Sequence, residues 1–312
     1  MIPSTAHFIW LGETLPWIHS LALHSALRRG GFRRVVLHHS HDLAAEPWWH
    51  EIATLPGFEA RRLDASAALE RCDRLGGPLN DLYRDLPDAR ARANVLRMAL
   101  LWAEGGVYLD TDTITVRTLG DLLARGGAFC GAERLVFPAS LGWSAPQKVA
   151  LALGRHLLRD GLRRLPNGWR WFRRVERFYP VAVNNAVFGA EPRSAFVTEL
   201  LERMLAVPKR RRSVRYELGT TLLQRAAAEY RGDELIVHPP PVFYPLGPEI
   251  SEHWFKHGDP RALGEVLSSD TRVVHWYASV RTARVARVAS PSWMKAHAGK
   301  QLFSALAAEV LA

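Results

Sequence analysis

Residues 93–113 read ANVLRMALLWAEGGVYLDTDT, and the change of period inside this stretch sets the fold. Ala91, Val95, Met98, Ala99 and Trp102 recur at helical spacing, and Asp88 suits the N-cap, so a helix is expected from Asp88 to Glu104. Gly105 and Gly106 stop it, the first as a C-terminal cap. Val107–Asp110 follows at once as a strand. Strand–helix alternation of this kind favours an α/β fold with a mainly parallel, helix-covered sheet. In such sheets ligands bind beyond the carboxyl ends of the strands, which directs attention to Asp110-Thr111-Asp112.

Upstream, the same alternation continues. Ala6–Leu11 reads as a buried strand ended by Gly12, and Trp17–Arg29 as a helix stopped by Gly30-Gly31. Arg34–His39 and Glu59–Leu63 are further strands. A helix is expected around Ser66–Leu75, with a break at Gly76-Gly77-Pro78. Downstream the pattern is less regular. Strands are expected at Ala128–Ala132, Val181–Phe188, Leu235–His238 and Arg272–Trp276. Helices are expected at Leu151–Arg164, Ser194–Leu205, Tyr216–Tyr230 and Trp293–Leu311, the last with Phe303, Leu306, Ala307 and Val310 on one stripe. No linker composition divides the chain, so 1–312 is expected to be a single domain.

The composition of the 312 residues, 48% hydrophobic and 23% charged, excludes a disordered, collagen-like or disulfide-stapled chain. No apolar run approaches the ~20 residues of a membrane span. The start of the sequence lacks a basic n-region and does not read as a signal peptide. Two cysteines, Cys72 and Cys130, suit a reducing compartment, and a cytoplasmic location is expected. Residues 1–130 carry 14 basic and 15 acidic side chains, whereas residues 131–312 carry 27 and 16. The whole positive excess therefore sits in the second part, which implies either an anionic partner or a solvated arginine-rich face. Arg155–Tyr179 interleaves eight Arg with Trp169, Trp171, Phe172 and Phe178, and is expected to form an Arg-rich helical segment in peripheral contact with the inner membrane or an anionic acceptor. No nucleic-acid module accompanies the charge, and no nucleic-acid partner is expected. His38, His39 and His41 lack a zinc-type arrangement. Neither G-x-G-x-x-G nor a Walker A sequence occurs.

On an extended strand, residues i and i+2 face the same side, so Asp110 and Asp112 are expected to converge. Paired carboxylate oxygens suit a hard divalent ion, Mg²⁺ or Mn²⁺, that keeps open positions for a diphosphate. The spacing alone is weak, because chance predicts about half of one Asp-x-Asp in a chain with this Asp content.

The surrounding residues strengthen it. The run from Ala93 to Thr113 resembles the sugar-binding region of D-x-D glycosyltransferases of family 32, and is similar to the catalytic domain of large clostridial glucosylating toxins. Ile2-Pro3 through Gly12 resembles the family's opening strand. Asn184-Asn185 with Val187-Phe188-Gly189 resembles its central Asn-rich strand, and Val274-His275-Trp276-Tyr277-Ala278-Ser279 its C-terminal His/Ser loop. The resemblance implies a GT-A fold with a nucleotide-sugar half, 1–120, and an acceptor half, 121–312. It implies a metal-dependent, retaining transfer from a nucleotide-diphosphate sugar, a UDP-sugar first, to a glycan, lipid-linked or small-molecule acceptor.

Site roles follow from the same resemblance. Asp110 and Asp112 would hold the metal, Asp110 also facing the ribose, with His275 and Ser279 as further ligands. Trp10 would stack on the base and Tyr108 would line the donor. Arg97 would hold the donor sugar or its phosphates, and Asn185, or Asn184 beside it, would bond the sugar near the anomeric carbon. Core packing, burial or strand polarity are the plain alternatives for these side chains. Two departures stand out: Asn94 replaces the family's Asp three residues before Arg97, and Val280 replaces the Trp after Ser279. They motivate a second reading as a catalytically silent nucleotide-sugar-binding protein, beside a third as a toxin-like enzyme that modifies a protein side chain. Glu249 and Glu252 lie in a Pro/Gly-bounded loop where acceptor contacts could form, and a plain surface location is expected for them.

Overall fold

The computed structural model describes residues 1–138 and 146–311. Nine strands are present among them: β1 (Thr5–Trp10), β2 (Arg34–His39), β3 (Phe58–Arg62), β4 (Gly106–Leu109), β5 (Thr113–Thr115), β6 (Ala128–Arg134), β7 (Val181–Ala190), β8 (Leu235–His238) and β9 (Val273–His275). Seven of them form one sheet in the order β3-β2-β1-β4-β7-β6-β8, while β5 and β9 pair separately. The α/β class expected from the alternation is therefore present. The sheet is mainly parallel, as expected, with one reversed strand: β7 runs antiparallel to both β4 and β6, and the other neighbours are parallel.

The parallel part follows from its connections. The helix Trp17–Arg29 carries the chain from β1 to β2, and Ala89–Glu104 carries it into β4. Asp88 caps the second helix by accepting from the N–H groups of Arg90 and Ala91, both near 3 Å. Gly105 and Gly106 then take φ of +63° and +102°, which only glycine adopts without strain. Contact allows nothing larger either, since a Cβ on Gly106 would lie 2.5 Å from the Thr5 carbonyl oxygen. This tight turn sets β4 against β1 with Ala6 beside Val107.

Apolar side chains fill both faces of the sheet. Val95, Leu96, Ala99 and Leu101 pack with Phe188 and Phe196 on one side; Phe8, Leu37, Val107 and Phe129 pack on the other. A third cluster gathers Trp254, Trp276, Ile114 and the C-terminal helix Leu302–Leu311, whose Phe303, Leu306, Ala307 and Val310 are all buried. That helix docks on Trp17–Arg29, and Arg28 and Arg29 donate to the carbonyls of Glu309, Val310 and Leu311 at its end. Cys72 and Cys130 are both free and buried.

Several expectations need correction. Gly76-Gly77-Pro78 is not a break but the first turn of the helix Gly76–Asp85, where backbone N–H groups need no intrahelical acceptor and proline is tolerated. The last helix is two, Pro291–His297 and Leu302–Leu311. The Arg-rich segment is also two helices, Pro146–Arg164 and Gly168–Val175, separated at Asn167, which has φ +51°. Among the described residues no helix is long and apolar enough to cross a membrane.

Candidate active site at the carboxyl end of β4

β4 ends at Leu109, so Asp110-Thr111-Asp112 lies in a turn, not on an extended strand as the spacing suggested. The Thr113 N–H and hydroxyl both return to the Asp110 carbonyl, at 3.2 and 2.7 Å, and this closes the turn. The carboxylates are brought together by tertiary contacts. Thr113 pairs with His275 across β5 and β9, which sets the imidazole beside the turn.

Asp110, Asp112 and His275 each offer a ligand atom within 4.8 Å of the other two. His275 Nε2 lies 3.0 Å from Asp112 Oδ1, and the Ala278 N–H donates to Asp112 Oδ2 at 2.7 Å. The Trp276 N–H donates to the Asp112 carbonyl. Burial alone would raise the Asp112 carboxyl, but His275 and its hydrogen bond outweigh that and hold it well below the ordinary carboxylate range. Burial alone would lower His275, but Asp112 and Asp110 together raise it. His275 Nδ1 is buried without a hydrogen-bond partner among the described residues.

Asp110 is held from the other side. Burial raises its carboxyl, against the opposing pull of Arg97, whose Nη2 lies 3.0 Å from Asp110 Oδ1. The Tyr108 hydroxyl donates to the same oxygen at 2.8 Å. Arg97 itself is buried. It lies 4.1 Å from the centre of the Tyr108 ring and donates from Nη1 to the Asn185 carbonyl at 2.6 Å. Its Nε is buried and unpartnered among the described residues. The guanidinium is thus anchored within the protein, oriented by Asp110 and the Asn185 backbone rather than by residue 94. Asn94 Oδ1 instead accepts from Asn185 Nδ2 at 2.9 Å, so Asn185 touches both Asn94 and Arg97.

Trp10 is half-buried at the carboxyl end of β1; its Nε1 donates to the Thr14 carbonyl, and its ring lies 5.2 Å from His19. Ser279 is exposed in the turn after Ala278. Asn184 is turned away from Arg97: its Oδ1 accepts from the Ala186 N–H and the Tyr244 hydroxyl. Glu249 is not at the surface. It is buried, pairs with Arg159 and accepts from the Val136 N–H. Glu252 pairs with Arg163.

Sequence reasoning did not single out three groups that shape the site. His19 bonds the Thr111 carbonyl at 3.0 Å and sits between Trp10 and Trp276. Glu133 is buried and accepts from the Tyr277 hydroxyl at 2.8 Å, tying β6 to the segment that carries His275. Tyr244 sits edge-on to the His275 ring, centroids 5.9 Å apart. Glu133 carried one signal, as the acid that directly follows the apolar run Ala128–Ala132; His19 and Tyr244 carried none.

Comparison with known proteins places this geometry. Residues 31–127 match the family model described as a glycosyltransferase sugar-binding region containing a DXD motif, and that motif is Asp110-Thr111-Asp112. The chain is similar to Glucan organizing enzyme 1 of Cryptococcus neoformans var. grubii, 26% identical over 132 residues that span 39% of this chain and 32% of that protein. The match therefore spans about a third of that relative's length. Distant solved structures include the PaToxG glycosyltransferase, at TM-score 0.49 and 14% identity over 73% of this chain and 69% of that one. Another is the apo form of mouse xyloside xylosyltransferase 1, at TM-score 0.49 and 13% identity over 88% and 99% of the two chains. The chain thus carries a DXD-type glycosyltransferase sugar-binding region.

Proposed function

We propose that this chain transfers a sugar from a nucleotide-diphosphate sugar, with uridine as the nucleoside, through a GT-A domain that spans 1–312 and uses Mn²⁺ or Mg²⁺. The observation that carries the reading is the convergence of Asp110, Asp112 and His275 within 4.8 Å, inside the reach of the segment that matches the DXD region. Two carboxylates and one imidazole fit Mn²⁺ or Mg²⁺ in donor type, and the imidazole favours manganese. His275 Nδ1, buried and without a partner among the described residues, is a further sign of an incompletely satisfied polar centre.

Asp112, Asp110 and His275 would hold the ion, with Ser279 as the neighbouring hydroxyl. The ion would supply neutralisation of the charge that develops on a departing nucleoside diphosphate. The chain's own residues do the rest. Arg97 and Tyr108 fix Asp110 from behind, so the carboxylate keeps its orientation without reorganising. The Trp10 ring offers a stacking face for the base at the carboxyl end of β1. Asn185, bridged to Asn94, presents an amide beside the same site. The bond from the anomeric carbon to the phosphate oxygen breaks as the acceptor oxygen bonds from the same face. The departing phosphate oxygen takes the acceptor proton. Retention follows, no dedicated base is needed, and the resemblance to family 32 supports this course. The acceptor is a glycan, a lipid-linked sugar or a small molecule.

A panel of UDP- and GDP-sugars incubated with the protein and Mn²⁺ tests the reading by release of free nucleotide. Hydrolysis of one UDP-sugar, lost on chelation of the metal, is the expected result. If UDP binds and no donor is cleaved, the protein is the silent binder that Asn94 and Val280 suggested.

A further inference from the structure

The helix Pro146–Arg164 turns key charges inward and leucines outward. Arg159 is buried and paired with Glu249 and Asp160, and Arg163 pairs with Glu252. The outward face is apolar. Leu151, Leu157 and Leu158 follow one another along one stripe, Leu165 continues it just past the helix end, and Leu153 lies at its edge. All five are exposed, Leu157 by 70%. Gly154 and Gly161 lie on the same stripe, and a Cβ at either would meet no atom of the described residues within 4 Å. Two aromatic rings follow in the next segments, Trp171 on the helix Gly168–Val175 and Phe178 just after it, both more than half exposed at 52% and 57%. An apolar surface of this extent, backed by buried ion pairs, marks an interaction site rather than a packing solution.

Charge identifies the occupant. Residues 146–181 hold nine basic side chains and two acidic ones; Arg159, Arg163 and Arg170 are paired with Glu249, Glu252 and Glu265, which leaves Lys148, Arg155, Arg164, Arg173, Arg174 and Arg177. Of the acids, Asp160 is turned to Arg159 and Arg163, and Glu176 is half-buried beside Arg173. Arg164 shares the outward face, Arg174 lies over the Trp171 ring at 4.5 Å, and Arg177 lies over Phe178 at 4.9 Å. Leucines flanked by aromatic rings and an excess of cations match the boundary between headgroups and acyl chains of an anionic bilayer. A second copy of this chain would instead set like charges against each other.

We propose that the surface formed by Pro146–Arg164, Trp171 and Phe178 docks the protein on an anionic membrane. This surface shares no residue with the donor site, and its test does not pass through sugar transfer. Flotation with vesicles of pure phosphatidylcholine, and with vesicles that also contain phosphatidylglycerol, measures the binding at low and high salt. The protein is expected to float with the anionic vesicles about tenfold more than with the neutral ones, and less at high salt. The double variant Leu157→Glu, Leu158→Glu, at two exposed positions, is expected to lose that binding while its circular dichroism and melting temperature stay unchanged. Arg174→Glu with Arg177→Glu should weaken it as well. Equal binding to both vesicles, no binding to either, or full binding by the leucine variant would overturn the proposal. So would a dimer in sedimentation velocity that the same leucine variant dissolves, which would assign the face to a second copy.

Discussion

Both carboxylate oxygens of Asp112 are taken up by β9 and the segment that follows it, one by His275 Nε2 and the other by the Ala278 N–H. Asp112 and Asp110 raise His275 and so favour its protonated form. A metal ion must displace that proton, because only neutral imidazole ligates. The sign follows: Mn²⁺ affinity falls as pH drops through the His275 titration, by up to about tenfold per pH unit. Titration of Mn²⁺ at pH 8, 7 and 6 checks this, and a flat profile would remove His275 from the ligand set. Asn94 gives a second prediction at this scale. Asn94→Asp keeps the acceptor for Asn185 Nδ2 and restores the charge that the family resemblance leads one to expect. Donor preference or turnover should change about severalfold or more; identical kinetics would make the position irrelevant to donor choice.

The turn between the helix Ala89–Glu104 and β4 depends on two glycines at positive φ, both pressed against neighbouring backbone or proline. Gly106→Ala should cost about 2–3 kcal/mol, read from urea denaturation, through backbone strain and the contact with the Thr5 carbonyl. A loss under about 0.5 kcal/mol would show that the turn relaxes freely. This element was plain in the sequence, because its helical period, cap and glycine stop are all local. The strands β1 and β2 and the helix Trp17–Arg29 were legible for the same reason. What local pattern could not show was placement across the chain. The antiparallel entry of β7 between β4 and β6 depends on pairing partners far apart in sequence. The pairing of β5 with β9 carries His275 to Asp112 over the same kind of distance. Asp-x-Asp suggested converging carboxylates through strand geometry, yet a turn and the β9 segment bring them together. Glu249 was misplaced because a loop position gave no sign of the buried Arg159 beside it.

At the scale of the whole molecule, the buried histidines set how stability responds to acid. His7 Nδ1 lies 3.1 Å from His38 Nε2, and His7 Nε2 lies 3.0 Å from the Gly105 carbonyl, which links β1, β2 and the β4 turn. Burial lowers His7 to about 4 and His38, also opposed by His7, to about 3. Burial likewise lowers His19, His24, His238 and His253. In the unfolded chain each takes up a proton near pH 6.5, so their contribution is complete above that pH and is lost as pH falls toward the folded values. The raised His275 acts in the opposite sense but is one against six. Each unmatched imidazole contributes a slope of up to about 1.4 kcal/mol per pH unit, and denaturation at pH 7.5, 6.5 and 5.5 should show stability falling steeply. Equal stability at all three would contradict neutral buried imidazoles. The proposed sugar transfer would depend above all on a cation held by Asp110, Asp112 and His275, and calorimetric titration of UDP with and without Mn²⁺ reaches that dependence most directly. Mn²⁺ is expected to tighten UDP binding by about tenfold or more, and Asp112→Asn to abolish the gain. Equal UDP affinity with and without the metal would contradict it.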